Sequence, residues 1–188
     1  MREFRLAPMS SGLWWLTSVL LAVPALMLVA LLAGVHAILA PLVFVLAIYA
    51  WVWVRFRPTK FVIQDGAVEV VWPLKRMMIA RSSIVSARIV GVPELKNEVG
   101  WGARVGAGGL WGGFGWLWTK RRGVVQMYIS RTDAFVWIER GTQRPWLVTP
   151  AQPEEFVNEL LSWSNKRFQG TSLPRVRRVS TAAPEPRR

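Results

Sequence analysis

The first part of the chain is a long stretch without charge. From Leu6 to Val54 no Asp, Glu, Lys or Arg occurs. A bilayer core about 30 Å thick needs about 20 helical residues to cross it, so this stretch is long enough for two spanning helices. The pattern predicts a short N-terminus over 1–11 and a helical hairpin over 12–54, with helices at 12–33 and 37–54 and a turn at 34–36.

Aromatic and basic residues mark the ends of this hairpin. Trp14 and Trp15 begin the first helix, and Trp51 and Trp53 end the second, where amphipathic rings favour the headgroup region. The turn carries no Lys or Arg, so the positive-inside rule predicts that both termini face the cytoplasm and that His36 lies near the opposite surface. The basic residues that follow the second helix are Arg55, Arg57 and Lys60.

A secretory signal peptide is the alternative interpretation of the first apolar segment. The residues Gly34-Val35-His36-Ala37 resemble a small-residue cleavage site. However, the apolar core of a signal peptide is about 7 to 15 residues long, the segment here has about 20, and a second apolar segment follows directly. The sequence therefore favours a membrane hairpin.

The pattern changes from Phe56 onward to short apolar runs separated by turn signals, which is typical of β-strands. Asp65-Gly66 between two such runs is a strong hairpin signal. Pro153, two glutamates and a helical spacing of apolar residues predict a final helix ending near Trp163. Glu94, Lys96 and Glu98 are assigned to a solvated loop. Strands are predicted over 61–63, 67–72, 77–80, 84–90, 124–130, 134–139 and 145–148, with 124–130 and 134–139 paired as a hairpin.

The order of these elements resembles the bacterial pleckstrin-homology-like families of membrane-flanking domains. The resemblance covers about residues 60–163 and is carried by FVIQDGAVEVVWPLKRMMIARSSIVSARIV, GGLWGGFGWLWTKRRGVVQMYIS and FVWIERGTQRPWLVTPAQPEEFVNELLSW. It implies an α+β protein of the bacterial inner membrane, with an antiparallel β-barrel or sandwich over 55–163 capped by the C-terminal helix. Phosphoinositide binding at the first hairpin loop is not implied, because that loop holds Asp65 and no Lys or Arg.

A glycine-rich and tryptophan-rich segment is the main candidate for a functional surface. More than half of the 15 glycines lie between Gly100 and Gly115, with aromatic rings between them and a basic cluster after them. Rings and cations together suit a bilayer interface, so we expect contact with the cytoplasmic leaflet or with a membrane partner. The alternative is that the rings fill the core and the glycines form a long hairpin. The candidate residues are Trp101, Trp111, Phe114, Trp116, Trp118, Lys120, Arg121 and Arg122.

Positive charge is concentrated at the C-terminus. The chain has 24 Lys and Arg against 11 Asp and Glu, a net charge of +13. Residues 164–188 are basic, with Glu185 as their one acidic residue, and hold few large apolar side chains, which predicts a disordered tail. Such a tail is either solvated without a partner or attracted to the anionic lipid beside it, and no nucleic acid partner is expected.

The residue types available exclude most catalytic chemistry. The chain has no cysteine and one histidine, so thiol catalysis, disulfides and His-based metal sites have almost nothing to be built from. We expect no catalytic residue, no cofactor and no metal. The sequence favours a non-enzymatic, membrane-anchored module that binds lipid headgroups, a membrane-protein partner or a second copy of itself. The alternative is an accessory subunit of a membrane transport or envelope-stress complex, assembled through the hairpin.

Overall fold

The charge-free stretch forms a helical hairpin. The computed structural model describes the backbone of residues 1–170 and the side chains of residues 1–162. Helix α1 (Ser11–Leu32) and helix α2 (Leu39–Arg55) are joined by a turn that includes a short 3-10 segment at His36–Ile38. Helix α1, and α2 taken together with the 3-10 segment before it (His36–Arg55), are long and apolar enough to cross a membrane, and only 11% and 6% of their most apolar stretches are buried in the protein.

The first of two sheets is antiparallel and has four strands, which lie side by side in chain order. Its first strand comes from the segment before α1, to which the sequence assigned no element, and pairs with the strand that follows α2. The sheet therefore holds the two ends of the hairpin side by side. Its strands are β1 (Arg2–Arg5), β2 (Lys60–Ile63), β3 (Ala67–Val71) and β4 (Arg76–Ala80).

The second sheet has six strands: β5 (Ser86–Val90), β6 (Gly102–Gly108), β7 (Gly113–Thr119), β8 (Gly123–Ile129), β9 (Phe135–Arg140) and β10 (Gln143–Val148). They lie side by side in the order β5-β9-β10-β8-β7-β6. In the chain, the helix α3 (Val92–Val99) lies between β5 and β6, and the helix α4 (Pro153–Gly170) follows β10.

The central strands of the six-stranded sheet, β8, β9 and β10, are buried on both faces. One face shares a core with the four-stranded sheet and with α4, and this core includes Phe61, Trp146 and Phe156. The opposite face forms a second core under α3, where Leu95 and Val99 pack. Because alternate residues of a strand point to opposite faces, each central strand contributes to both cores, which explains its nearly continuous apolar sequence.

A buried arginine holds α4 on the sheets. Arg81 is 4% exposed and follows β4 directly. Its guanidinium donates hydrogen bonds to the carbonyl oxygens of Gln64, Glu159 and Leu160. Desolvation by burial lowers its pKa, while the nearby charges of Glu159 and Asp65 act in the opposite direction. The buried side chain of Arg81 therefore connects the first hairpin loop to α4.

The α+β class, the two N-terminal apolar helices and the C-terminal helix are confirmed, but the arrangement of the strands differs from the prediction. Within residues 1–170 the strands form two separate sheets instead of a closed barrel. The predicted hairpin of 124–130 with 134–139 is wrong, because β10 lies between β8 and β9 and pairs with β8 in parallel. A turn signal between β8 and β9 cannot show that β10, which comes later in the chain, pairs with both of them and lies between them in the sheet.

The predicted loop around Glu94 is also wrong, since these residues form α3. Pro93 lies in the first turn and Gly100, with φ +67°, ends the helix. Proline at the start and glycine past the end are ordinary helix signals.

At the C-terminus α4 continues to Gly170, beyond its predicted end at Trp163, so 164–170 is helical. The remainder of the predicted basic tail, 171–188, lies outside the described residues.

Candidate functional site

The segment between β1 and α1 is hydrogen-bonded to the end of the six-stranded sheet. The Ala7 N–H donates to the Thr149 carbonyl oxygen at 2.9 Å, and the Ser10 N–H donates to the Ser130 carbonyl oxygen at 3.2 Å. The Ser130 hydroxyl donates to the Ala7 carbonyl oxygen at 2.6 Å. Ser130 and Thr149 are both fully buried. Helix α1 therefore leaves the domain at a fixed place.

A second connection joins α1 to the turn between β6 and β7. The Thr17 hydroxyl donates to the Gly109 carbonyl oxygen at 2.8 Å and accepts the Trp111 N–H at 3.0 Å. Gly109 has φ +94°, and a Cβ there would lie 3.0 Å from the Leu16 side chain, so the close approach requires glycine. At 1.5 Å per residue, Thr17 lies about 9 Å along α1 from Ser11. The turn thus contacts the apolar helix well beyond its first residue.

A third connection joins the same turn to the end of α2. The Trp111 ring packs edge-on against Tyr49 and Trp53, with ring centroids 6.4 Å and 4.7 Å apart. Arg57 in turn stacks on Trp53, with its guanidinium carbon 4.2 Å from the centroid of the Trp53 ring. Together with the bonds at Thr17, these contacts hold the hairpin and the strand domain as one unit.

The two sheets separate next to the end of α2 and leave a cleft of about 200 Å³. We call it the juxtamembrane cleft, because it lies at the end of the predicted membrane hairpin. Its lining carries two cations and no carboxylate. Trp72 is fixed at this place because its indole N–H donates to the Phe56 carbonyl oxygen at 3.1 Å. The polar and aromatic lining residues are Arg55, Phe56, Trp72, Lys75, Trp116, Gln126 and Tyr128.

A buried tyrosine lies on the inner side of this cleft. Tyr128 is 5% exposed, and its hydroxyl accepts a hydrogen bond from the Gln126 amide nitrogen. The Gln126 amide oxygen in turn accepts the Trp146 indole N–H at 3.1 Å, which fixes the orientation of the amide. Burial raises the pKa of Tyr128 to about 12, although the hydrogen bond from Gln126 and the charge of Arg140 oppose this effect. The phenol therefore stays protonated at neutral pH and keeps one hydrogen to donate.

A family model described as a bacterial PH domain matches residues 59–163, from the last residue before β2 into α4. The chain belongs to the bacterial PH domain family. Membership indicates a non-enzymatic interaction module, and it agrees with the resemblance drawn from the sequence. A search of curated proteins and a search of solved structures each gave no match.

In this PH domain, strand β7 begins at the turn that contacts α1 and α2, and it leads away from these two helices. Trp111, at the turn before β7, contacts α2, whereas Trp116 lies beside Arg55 at the end of that helix. Trp116 is 42% exposed, and Phe114 is 1% exposed and belongs to the core. Phe114 is thus a packing residue and not part of a surface. At about 3.3 Å per residue, Lys120 lies about 13 Å beyond Trp116 along the strand.

The basic cluster at 120–122 contacts the helix α3 of the PH domain. The Arg121 guanidinium donates to the Asn97 carbonyl oxygen near the end of α3. Arg122 forms ion pairs with Glu98 and with Glu139. Glu98, whose side chain is 10% exposed, also pairs with Arg88. Arg121 and Arg122 therefore hold α3 against the six-stranded sheet.

Two tryptophans are exposed at the same far end. Trp101 is 78% exposed and Trp118 is 64% exposed. They line an open groove of about 340 Å³ together with Lys120. The glycine-rich segment therefore contributes to three places: Trp111 to the hairpin contact, Phe114 to the core and the remaining rings to the surface.

The basic residues predicted to lie beside the membrane are close in sequence but have different surroundings. Arg55 lines the juxtamembrane cleft, and Arg57 stacks on Trp53 beside it. Lys60 donates to a Glu3 carboxylate oxygen at 2.7 Å across the β1–β2 pair. Arg55 is thus the member of this group that faces the cleft.

Several residues of the site were absent from the sequence-based candidates, among them Thr17, Lys75 and Tyr128. Thr17 is a polar residue within the charge-free stretch, and this was the available signal. Lys75 lies in the turn between β3 and β4 and Tyr128 in the predicted strand 124–130, so the local pattern marks neither as a site residue. Their proximity depends on the packing of the two sheets against the hairpin, which no local pattern reports.

Proposed function

We propose that this protein is a non-enzymatic module anchored in the bacterial inner membrane by α1 and α2, with both termini in the cytoplasm. Its PH domain is held against the cytoplasmic leaflet and binds anionic headgroups there. The observation that carries this proposal is the docking of the hairpin on the PH domain through Thr17 and Trp111. Because of this docking, one side of the domain always lies at the end of the apolar helices.

The exposed surface of the hairpin supports a lipid environment. Leu26, Leu32 and Phe44 are among many large apolar side chains that the rest of the protein leaves exposed. A soluble protein rarely exposes a contiguous apolar patch larger than a few hundred Å². Two adjacent helices of this length expose far more, and a bilayer is the solvent that suits them.

Cations around the end of α2 support binding to anionic lipid. Arg55 and Lys75 line the juxtamembrane cleft, and Arg5 and Arg57 line a second cleft beside Trp53. Each cation near an anionic leaflet is worth about 1 kcal/mol. Because the domain is already anchored, these charges orient it and select the lipids beside it, and they are not needed to recruit it.

The proposal is tested by the topology of the full chain in cells. The protein has no cysteine, so a single introduced cysteine reports its own location. We expect His36→Cys to react with a membrane-impermeant maleimide in intact spheroplasts. Asp133→Cys, at a site whose side chain is 75% exposed, should react only after the membrane is opened.

The cysteine-free chain serves as the control for background labelling, and carbonate washing should leave the protein in the membrane fraction. Labelling of Asp133→Cys in intact spheroplasts would place the PH domain outside the cytoplasm and overturn the proposal. Release of the intact protein by carbonate would do the same.

A further inference from the structure

The juxtamembrane cleft has the chemistry of a binding site for one phosphodiester. Its two cations come from different elements, Arg55 from the end of α2 and Lys75 from the turn between β3 and β4. None of the lining residues is acidic, so no carboxylate neutralises them within the cleft. A cationic cleft without a counter-charge attracts an anion, and hydrogen bonds to a charged group are the stronger ones.

The inner side of the cleft supplies a neutral donor. The Tyr128 oxygen already accepts from Gln126, so its own hydrogen can be donated into the cleft. The geometry around it is fixed, because Gln126 is held by Trp146, and Tyr128 packs edge-on against Trp72 with ring centroids 5.3 Å apart. A fixed donor behind the two cations can give a hydrogen bond to one oxygen of an oxyanion that they attract.

The walls and the position of the cleft indicate which anion fits. Trp72 and Trp116 provide aromatic walls, and rings of this kind settle at the headgroup level of a bilayer. The cleft begins at Arg55, the last residue of α2, where the apolar surface of the hairpin ends. A headgroup can therefore enter it while its acyl chains stay beside α2 in the bilayer. The volume of about 200 Å³ suits a small headgroup.

We propose that the juxtamembrane cleft binds the headgroup of one anionic phospholipid, with Arg55 and Lys75 at the phosphate and the Tyr128 hydroxyl as the inner donor. This site is separate from the loop at Asp65, and it deepens the proposed function, on which it rests. It makes the lipid interaction stoichiometric, with one headgroup for each PH domain, instead of a general attraction of cations to the leaflet.

The test uses the full chain, purified in a non-ionic detergent and mixed with phosphatidylglycerol, and native mass spectrometry to count the lipids retained. We expect one phosphatidylglycerol per chain at concentrations at which phosphatidylcholine is not retained. Replacing both cations, in Arg55→Gln/Lys75→Gln, should weaken retention about 25-fold, about fivefold for each charge. Tyr128→Phe keeps the packed ring, removes one donor and should weaken retention about fivefold.

A matched control keeps the loss of two charges but moves it away from the cleft. Arg104→Gln/Lys120→Gln changes two exposed cations on β6 and after β7 and should leave retention within twofold. Equal weakening in both double variants would show general electrostatics and overturn the cleft site, while leaving the topology result untouched. Displacement of the lipid by millimolar glycerol 3-phosphate or inorganic phosphate would overturn a lipid as the occupant.

Discussion

Replacing Gly115 with alanine is expected to lower the free energy of unfolding by about 4 kcal/mol, more than any single loss of a surface contact. Gly115 has φ +129°, and a Cβ there would lie 2.4 Å from the Val105 carbonyl oxygen. Gly115 is paired across the strands with Gly106, at φ +138°, so backbone meets backbone with no side chain to move aside. Strained backbone costs about 1 to 3 kcal/mol and overpacking about the same again.

The measurement is thermal unfolding of the full chain in detergent, followed by near-UV circular dichroism of its tryptophans. A loss of 4 kcal/mol should lower Tm by about 8 to 16 °C in a protein of this size. Gly108→Ala is the control, because Gly108 lies on the facing strand with no atom within 4 Å of an added Cβ. Similar Tm values for Gly115→Ala and the unaltered chain would show that β6 and β7 do not approach as described.

Replacing Thr17 with valine is expected to release the turn between β6 and β7 from the hairpin. Valine keeps the shape of threonine but removes the hydroxyl that serves both Gly109 and Trp111. Thr17 is 3% exposed, so water cannot replace either bond without opening the contact. Leaving a buried donor and a buried acceptor unpaired costs about 1 to 3 kcal/mol for each. We expect a total of about 3 kcal/mol.

Hydrogen exchange of the full chain in lipid nanodiscs measures this loss directly. Exchange at residues 108–112 should accelerate about 100-fold in Thr17→Val, since 1.4 kcal/mol corresponds to a factor of ten. Ser18→Ala, at the next position of α1, should leave the exchange of this turn unchanged. Unaltered protection in Thr17→Val would mean that the turn is held by the domain alone and that the hairpin is not docked.

The sequence was sufficient where structure is decided by composition or by short-range pattern. The absence of charge from Leu6 to Val54 was enough to predict α1 and α2, and Asp65-Gly66 marked the turn between β2 and β3. The signals for α3 were also present at Pro93 and Gly100. They were outweighed by the charged residues between them, of which Glu94 and Lys96 lie on the exposed face of the helix, whereas Glu98 pairs with Arg88 and Arg122.

The candidate site could not be predicted in the same way, because its members come from distant parts of the chain. Arg55, Lys75 and Tyr128 meet only after the two sheets have packed on each other and on α2. The insertion of β10 between β8 and β9 is likewise set by long-range pairing. The basic cluster at 120–122 had the right composition for a lipid surface, but its arginines are engaged by Glu98 and by the end of α3.

The central claim is that the docked hairpin turns the juxtamembrane cleft toward the bilayer surface and leaves the far end of β7 away from it. Depth-dependent quenching tests this claim most directly. A bimane fluorophore is attached to Lys75→Cys or to Lys120→Cys of the full chain in nanodiscs that contain headgroup-nitroxide lipid. The account predicts strong quenching at position 75 and weak quenching at position 120. Equal quenching, or the reverse order, would contradict the orientation and with it the assignment of the cleft.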